Sequence, residues 1–157
     1  MIDFIQDVAR EAGQMLFSHF REDAELLKQR ATAKEAATKY DRLADELIIS
    51  RIREAYPSHS LLTEESGHIE GDADWLWIID SLDGTGNFAN SNPMFAVCIA
   101  LVHMGHLYLG TVYAPAIDEF YFALKGGGAY LNDKKITVSD IAFARFSRLS
   151  RSRNFGL

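Results

Sequence analysis

The apolar residues of this chain change period once, and the change falls at Pro57-Ser58. Before it, Ile2, Ile5, Val8, Ala9, Ala12, Leu16 and Phe20 recur at intervals of three and four, which is one stripe of an amphipathic helix. A second stripe runs Tyr40, Leu43, Ala44, Leu47, Ile48, Ile52 and Ala55. Thr38 stands where its N-cap would be, with Asp41 three residues on as a shorter capping-box acid. Between the stripes, residues 21–37 are polar and read as a helix end followed by a loop. After Pro57 the runs are short. Leu61-Leu62 and Trp75 to Ile79 read as buried strands, with the acidic stretch Gly67 to Asp74 as a loop between them. Further strands are expected over Phe95–His103, His106–Ala114, Glu119–Leu124 and Ala129–Leu131. They are set apart by Met104-Gly105, Pro115-Ala116, Gly126-Gly127-Gly128 and Asn132-Asp133, breaks of the hairpin type. Two one-sided helices ahead of a meander imply an α+β layered sandwich with a largely antiparallel sheet.

Composition removes several function classes. The 157 residues carry 16 Lys+Arg against 22 Asp+Glu, a formal charge of −6, which argues against broad binding of nucleic acid through its phosphates. One cysteine allows neither a disulfide framework nor a cysteine-built zinc cage, and favours a reducing compartment. The longest strong apolar run, Met94 to Val102, is far short of a membrane span, and the opening Met1-Ile2-Asp3-Phe4 has an acid where a signal peptide would carry basic residues. The expectation is a cytoplasmic protein with no membrane partner. Residues 1–140 read as one domain. Residues 141–157 hold Arg145, Arg148, Arg151 and Arg153 with no acid and no clear helix or strand pattern, as a chain would that stops inside its fold.

The chemistry gathers in Trp77-Ile78-Ile79-Asp80-Ser81-Leu82-Asp83-Gly84-Thr85-Gly86-Asn87-Phe88. A buried strand ends at Asp80, and a second acid follows three residues later, before a glycine. Carboxylates so spaced across a tight turn can converge, with the Leu82 carbonyl turned to the same point. Such hard oxygen donors suit Mg²⁺ or Ca²⁺ rather than Zn²⁺. Gly84 lets the backbone approach an anion, and the Thr85 hydroxyl and the N–H groups beyond it can contact phosphate. The competing reading is an Asp-rich turn closed by its own side chains. Thr63-Glu64-Glu65-Ser66 follows the short strand Leu61-Leu62, so one of its glutamates can face a metal while the other faces solvent. Alone it would be a solvated acidic loop, just as Asp41 alone would be a first-turn helix acid. His103 and His106 flank the Met104-Gly105 turn and read as surface histidines, and Trp75 and Trp77 share one strand face, where core packing is expected.

In combination these residues resemble the inositol monophosphatase family of Mg²⁺-dependent, lithium-sensitive phosphatases. The resemblance is carried by Glu64-Glu65-Ser66 and by Trp77-Ile78-Ile79-Asp80-x-Leu82-Asp83-Gly84-Thr85-x-Asn87-Phe88. It extends through Tyr56-Pro57-Ser58-His59-Ser60, Phe95 to Ala100, Gly110-Thr111-Val112-Tyr113 and Lys125-Gly126-x-Gly128-Ala129-Tyr130-x-Asn132, over roughly residues 1 to 140. It implies an inositol monophosphatase-like fold and a phosphomonoesterase acting on a small phosphorylated alcohol such as inositol monophosphate. By the same resemblance Glu64, Asp80, the Leu82 carbonyl and Asp83 hold Mg²⁺. Glu64, Thr85 and Asp41 form the catalytic set, in which Thr85, coupled to Asp41, orients the attacking water. Gly84 and Thr85 bind the phosphate.

The departures from the family pattern are specific. Ser81 replaces the usual proline between the aspartates, Thr63 stands where glycine is common, and the segment from Glu35 to Asp41 matches only at Thr38 and Asp41. Family members continue well beyond this length. Their added part includes a Trp-Asp-x-Ala segment that completes the metal site, which residues 141–157 lack. The chain is therefore expected to be an N-terminal fragment, or a frameshifted product, of a phosphatase, with the C-terminal α/β part missing. Family members are often dimers, so a homodimer is allowed, with Trp75 or the His103–His106 hairpin at its interface. The alternative reading is a non-catalytic remnant or regulatory module that binds a protein or RNA partner.

Overall fold

A computed structural model describes residues 1–20 and 30–139. Helix α1, Ile2–His19, buries Ile5, Val8, Ala9, Ala12, Gly13 and Leu16, which is the expected stripe. Helix α2 spans Arg30–Ala55 and buries Ala37, Ala44, Ile48 and Ile52. It starts ahead of the expected position, so Thr38 lies inside it and is no N-cap. The four alanines between Ala31 and Ala37 explain the extension, because alanine favours helix without needing an apolar stripe. None of the described helices is long and apolar enough to cross a membrane.

The strands are β1 His59–Thr63, β2 Gly67–Ile69 and β3 Asp72–Asp83, then, beyond the short helix α3 (Thr85–Ala89), β4 Ala96–His103, β5 His106–Ala114, β6 Glu119–Leu124, β7 Gly128–Leu131 and β8 Lys134–Ile136. They form one eight-stranded sheet in the order β2-β1-β3-β4-β5-β6-β7-β8. From β3 onward the sheet is the expected antiparallel meander, but β1 pairs parallel with β3, so the sheet is mixed. Two edges differ from expectation. The stretch Gly67 to Asp74 is not a plain loop, since it contains β2 and the start of β3, and Lys134–Ile136 adds an eighth strand. Both β2 and β8 are edge strands of three residues with one isoleucine each, too short to show an apolar alternation.

Both helices cover one face of the sheet. Leu61, Trp77, Ile79, Val97, Ile99, Leu101, Leu109 and Tyr113 are buried there with the helix stripes in one cluster. At its edge the Trp77 indole N–H donates to His59 Nδ1 at 3.1 Å, and Trp75 stacks between His59 and His103. His103 is thus a packing residue, with ring centroids 3.8 Å from Trp75, rather than the surface histidine expected from its turn. The opposite face carries a groove of about 910 Å³ whose lining includes Leu62, Ile78, Ala100, Val112 and Phe122. Glu64 and Asp80 line it as well.

The close approach of α1 to the sheet depends on Gly13. A Cβ there would stand 2.4 Å from Cδ1 of the buried Tyr113 ring. Helix propensity alone favours Gly13→Ala by about 1 kcal/mol. The clash is expected to outweigh that gain, with a net loss of about 1–3 kcal/mol in urea unfolding. A variant as stable as the wild type would show that α1 can shift away from Tyr113.

Candidate active site

Strand pairing alone brings the two aspartates of the motif to one side. Asp80 pairs with Cys98 and Asp83 with Ala96, so three steps along β3 match two along β4. In a regular strand, residues three apart face opposite sides of the sheet. The extra residue of the bulge at Ser81-Leu82 restores the alternation, and Asp80 and Asp83 point the same way. The parallel pairing of Thr63 with Ile79 sets the Thr63–Ser66 turn alongside, and the Glu64 N–H donates to the Ile79 carbonyl at 3.2 Å. Glu64 therefore sits next to Asp80.

Their charges interact. Burial, reinforced by Glu64, Asp83 and Asp41, pushes the Asp80 carboxyl up from 3.8 to about 7. Burial also lifts Asp41 to about 6. Glu65 and Glu64 add to that shift, while hydrogen bonds from Ser81 and Thr85 oppose it. Cys98, on the same strand face as Asp80, is pushed up to about 12 by burial and by Asp83 and Asp80, so its thiol stays protonated and is no nucleophile.

Asp41 reaches the cluster from α2, on the helix side of the sheet. The Ser81 hydroxyl donates to Asp41 Oδ1 at 2.7 Å. Thr85 Oγ1 lies 3.4 Å from Asp41 Oδ2 and 3.0 Å from the Leu82 carbonyl oxygen. A hydroxyl has one proton, so Thr85 serves one of these acceptors at a time. The Leu82 carbonyl is thus already an acceptor and keeps one lone pair for a further partner. Gly84 has φ +86°, and a Cβ on it would come within 2.8 Å of the Met94 carbonyl oxygen, so glycine is required at this turn.

Two partners escaped the sequence reading. Ser81, noted only as a missing proline, supplies a hydroxyl to Asp41. Asp45, one helical turn beyond Asp41, accepts hydrogen bonds from Thr63 and Ser66. The four-residue interval between Asp41 and Asp45 was the available signal, since it places both on one helix face.

The donor set consists of hard oxygens, and the mutual repulsion of its carboxylates is what a divalent cation would relieve. In type and charge it fits Mg²⁺. Among the described residues no three acidic, histidine or cysteine side chains close into a ready-made metal cage.

Comparison with known proteins settles the family. The model of the inositol monophosphatase family matches residues 1–153.

The chain belongs to the inositol monophosphatase family.

The Nus factor SuhB of Pseudomonas aeruginosa is 39% identical over 142 residues, which are 88% of this chain and 52% of that protein. The inositol-1-monophosphatase of Mesorhizobium japonicum is 36% identical over 140 residues, covering 88% and 53%. The crystal structure of the suppressor protein suhB from Bartonella henselae superposes with a TM-score of 0.79 at 34% identity, covering 89% of this chain and 54% of that one. The chain spans about half the length of the curated relatives it matches. The family therefore confirms the expected fold and makes phosphatase chemistry the class to which the site is referred.

The raised carboxyl values set a pH dependence. A folded chain that holds protons more tightly than the unfolded one gains stability that is complete below the ordinary value of 3.8. That stability is lost as pH rises through about 6 to 7. In metal-free buffer, Asp80→Asn is expected to gain on the wild type between about pH 5 and pH 8. The gain should be about 1–2 kcal/mol, because solvent screens a half-buried group. Thermal melts at both pH values measure it, and a constant difference would contradict the assignment.

Proposed function

We propose that residues 1–140 are the metal-binding part of a Mg²⁺-dependent phosphomonoesterase acting on a small phosphorylated alcohol, of which inositol monophosphate is the type. The observation that carries this reading is the bulge in β3, which turns Asp80 and Asp83 to one side, next to Glu64. Glu64, Asp80, Asp83 and the Leu82 carbonyl would hold the ion. When bound, it supplies positive charge that polarises phosphoryl oxygens and makes water easier to deprotonate. Thr85, donating its proton to Asp41 or Leu82, turns its oxygen lone pairs outward to receive a hydrogen bond from the attacking water. Asp41 holds Thr85 in that role and is itself held by Ser81. Gly84, with no side chain, lets the backbone of the turn come against the phosphate.

A second reading has one specific support, the relative named Nus factor SuhB. It takes the chain as a non-catalytic module with a protein or RNA partner. The family's fold would then serve as a binding surface, and the basic segment 141–157, which lies outside the described residues, would add to it.

Phosphate release from inositol monophosphate by the full-length enzyme, with and without Mg²⁺, separates the two. The phosphatase reading expects Mg²⁺-dependent release that Asp83→Asn lowers on the order of 100-fold while the fold persists. Mg²⁺-dependent release that is unchanged in that variant would refute the metal role. No Mg²⁺-dependent release, together with a salt-sensitive RNA mobility shift, would favour the second reading.

A further inference from the structure

We infer that Asp45 is a positioning residue for Glu64, holding the Thr63–Ser66 turn in the conformation that presents Glu64 to a cation. The inference rests on the reading of Glu64 as a metal ligand.

Asp45 is 1% exposed on the inner face of α2. Its Oδ2 accepts from Thr63 Oγ1 at 3.2 Å and from the Ser66 hydroxyl, while Thr63 Oγ1 accepts the Ser66 backbone N–H at 2.7 Å. The carboxylate and the two hydroxyls close a ring that brackets Glu64 and Glu65 from both sides. With the Glu64 N–H bound to the Ile79 carbonyl, the turn is tied both to α2 and to β3. Glu65 is further drawn aside by Arg42, 3.5 Å from its Oε2, which leaves Glu64 as the member of the pair beside Asp80.

The arrangement is a poor one for stability alone. Asp45 Oδ1 is buried and has no hydrogen-bond partner among the described residues. A buried carboxylate oxygen without a donor is costly, and an apolar side chain would fill the same place without that cost. What Asp45 does, and an apolar side chain would not, is accept two hydroxyls and so fix the turn. Thr63 supplies one of those hydroxyls.

Calorimetric titration of the 157-residue chain with Mn²⁺, together with amide hydrogen exchange at Ser66, tests the proposal. Asp45→Ala is expected to weaken Mn²⁺ binding about tenfold and to speed exchange at Ser66. Asp45→Asn, whose amide oxygen still accepts both hydroxyls, is expected to restore most of the affinity, which loss of packing alone would not allow. A folded Asp45→Ala chain with unchanged Mn²⁺ affinity and unchanged Ser66 exchange would overturn the proposal. Should Asp45→Ala fail to fold, Ser66→Ala at its exposed position carries the test, and unchanged affinity there overturns it equally. If Glu64→Gln leaves Mn²⁺ binding intact, the reading of Glu64 fails, and Ser66 exchange in the Asp45 variants still decides whether the clamp exists.

Discussion

Like charges crowded at one end of β3 are the constraint on which the rest of the structure depends. Burial first, and then repulsion among Asp80, Asp83, Glu64, Glu65 and Asp41, raises the Asp80 and Asp41 carboxyls well above their ordinary range. Only a rigid support holds such a group together without compensation. That support is the buried run Trp77, Ile79 and Leu82, on the same strand as the aspartates and packed under both helices. Burial of these side chains stabilises by about 1.5–3 kcal/mol each. The same strand thus supplies both the cost and the means of meeting it.

The position of the cluster follows from topology. β1 and β3 are the parallel pair of the sheet, and Glu64 and Asp80 lie at their carboxyl ends, where loops are free to carry chemistry. The helices contribute from the other side. α2 sends Asp41 to Ser81 and Thr85, and one turn later sends Asp45 to Thr63 and Ser66. One helix face therefore steadies both halves of the cluster. The groove on the uncovered face begins at Glu64 and Asp80 and continues over apolar side chains. Two members of the cluster thus open onto the groove.

Much of this was legible in the residues. The stripe from Ile2 to Leu16 placed α1, and the breaks at Met104-Gly105 and Gly126-Gly127-Gly128 placed the hairpins. The motif from Asp80 to Thr85 marked the candidate site because aspartate, glycine and threonine occur there in an order that packing does not call for. The rest was hidden for physical reasons. The early start of α2 rests on alanines, which leave no apolar stripe to read. The edge strands β2 and β8 are three residues long with one isoleucine each, too short for any alternation to separate them from loops. The bulge at Ser81-Leu82 exists only as a mismatch between two strands, so neither strand reveals it alone. The partnership of Asp45 with Thr63 and Ser66 joins residues 18 and 21 positions apart, beyond any local pattern.

The central claim is that Glu64, Asp80 and Asp83 act together on one divalent cation. The most direct measurement is paramagnetic broadening of the backbone amide spectrum by substoichiometric Mn²⁺, which falls off steeply with distance from the ion. The account expects the amides of Glu64 and of Asp80 through Thr85 to broaden together and to recover when Mg²⁺ is added in excess. Broadening spread over the acidic surface, or confined to residues away from the end of β3, would contradict it.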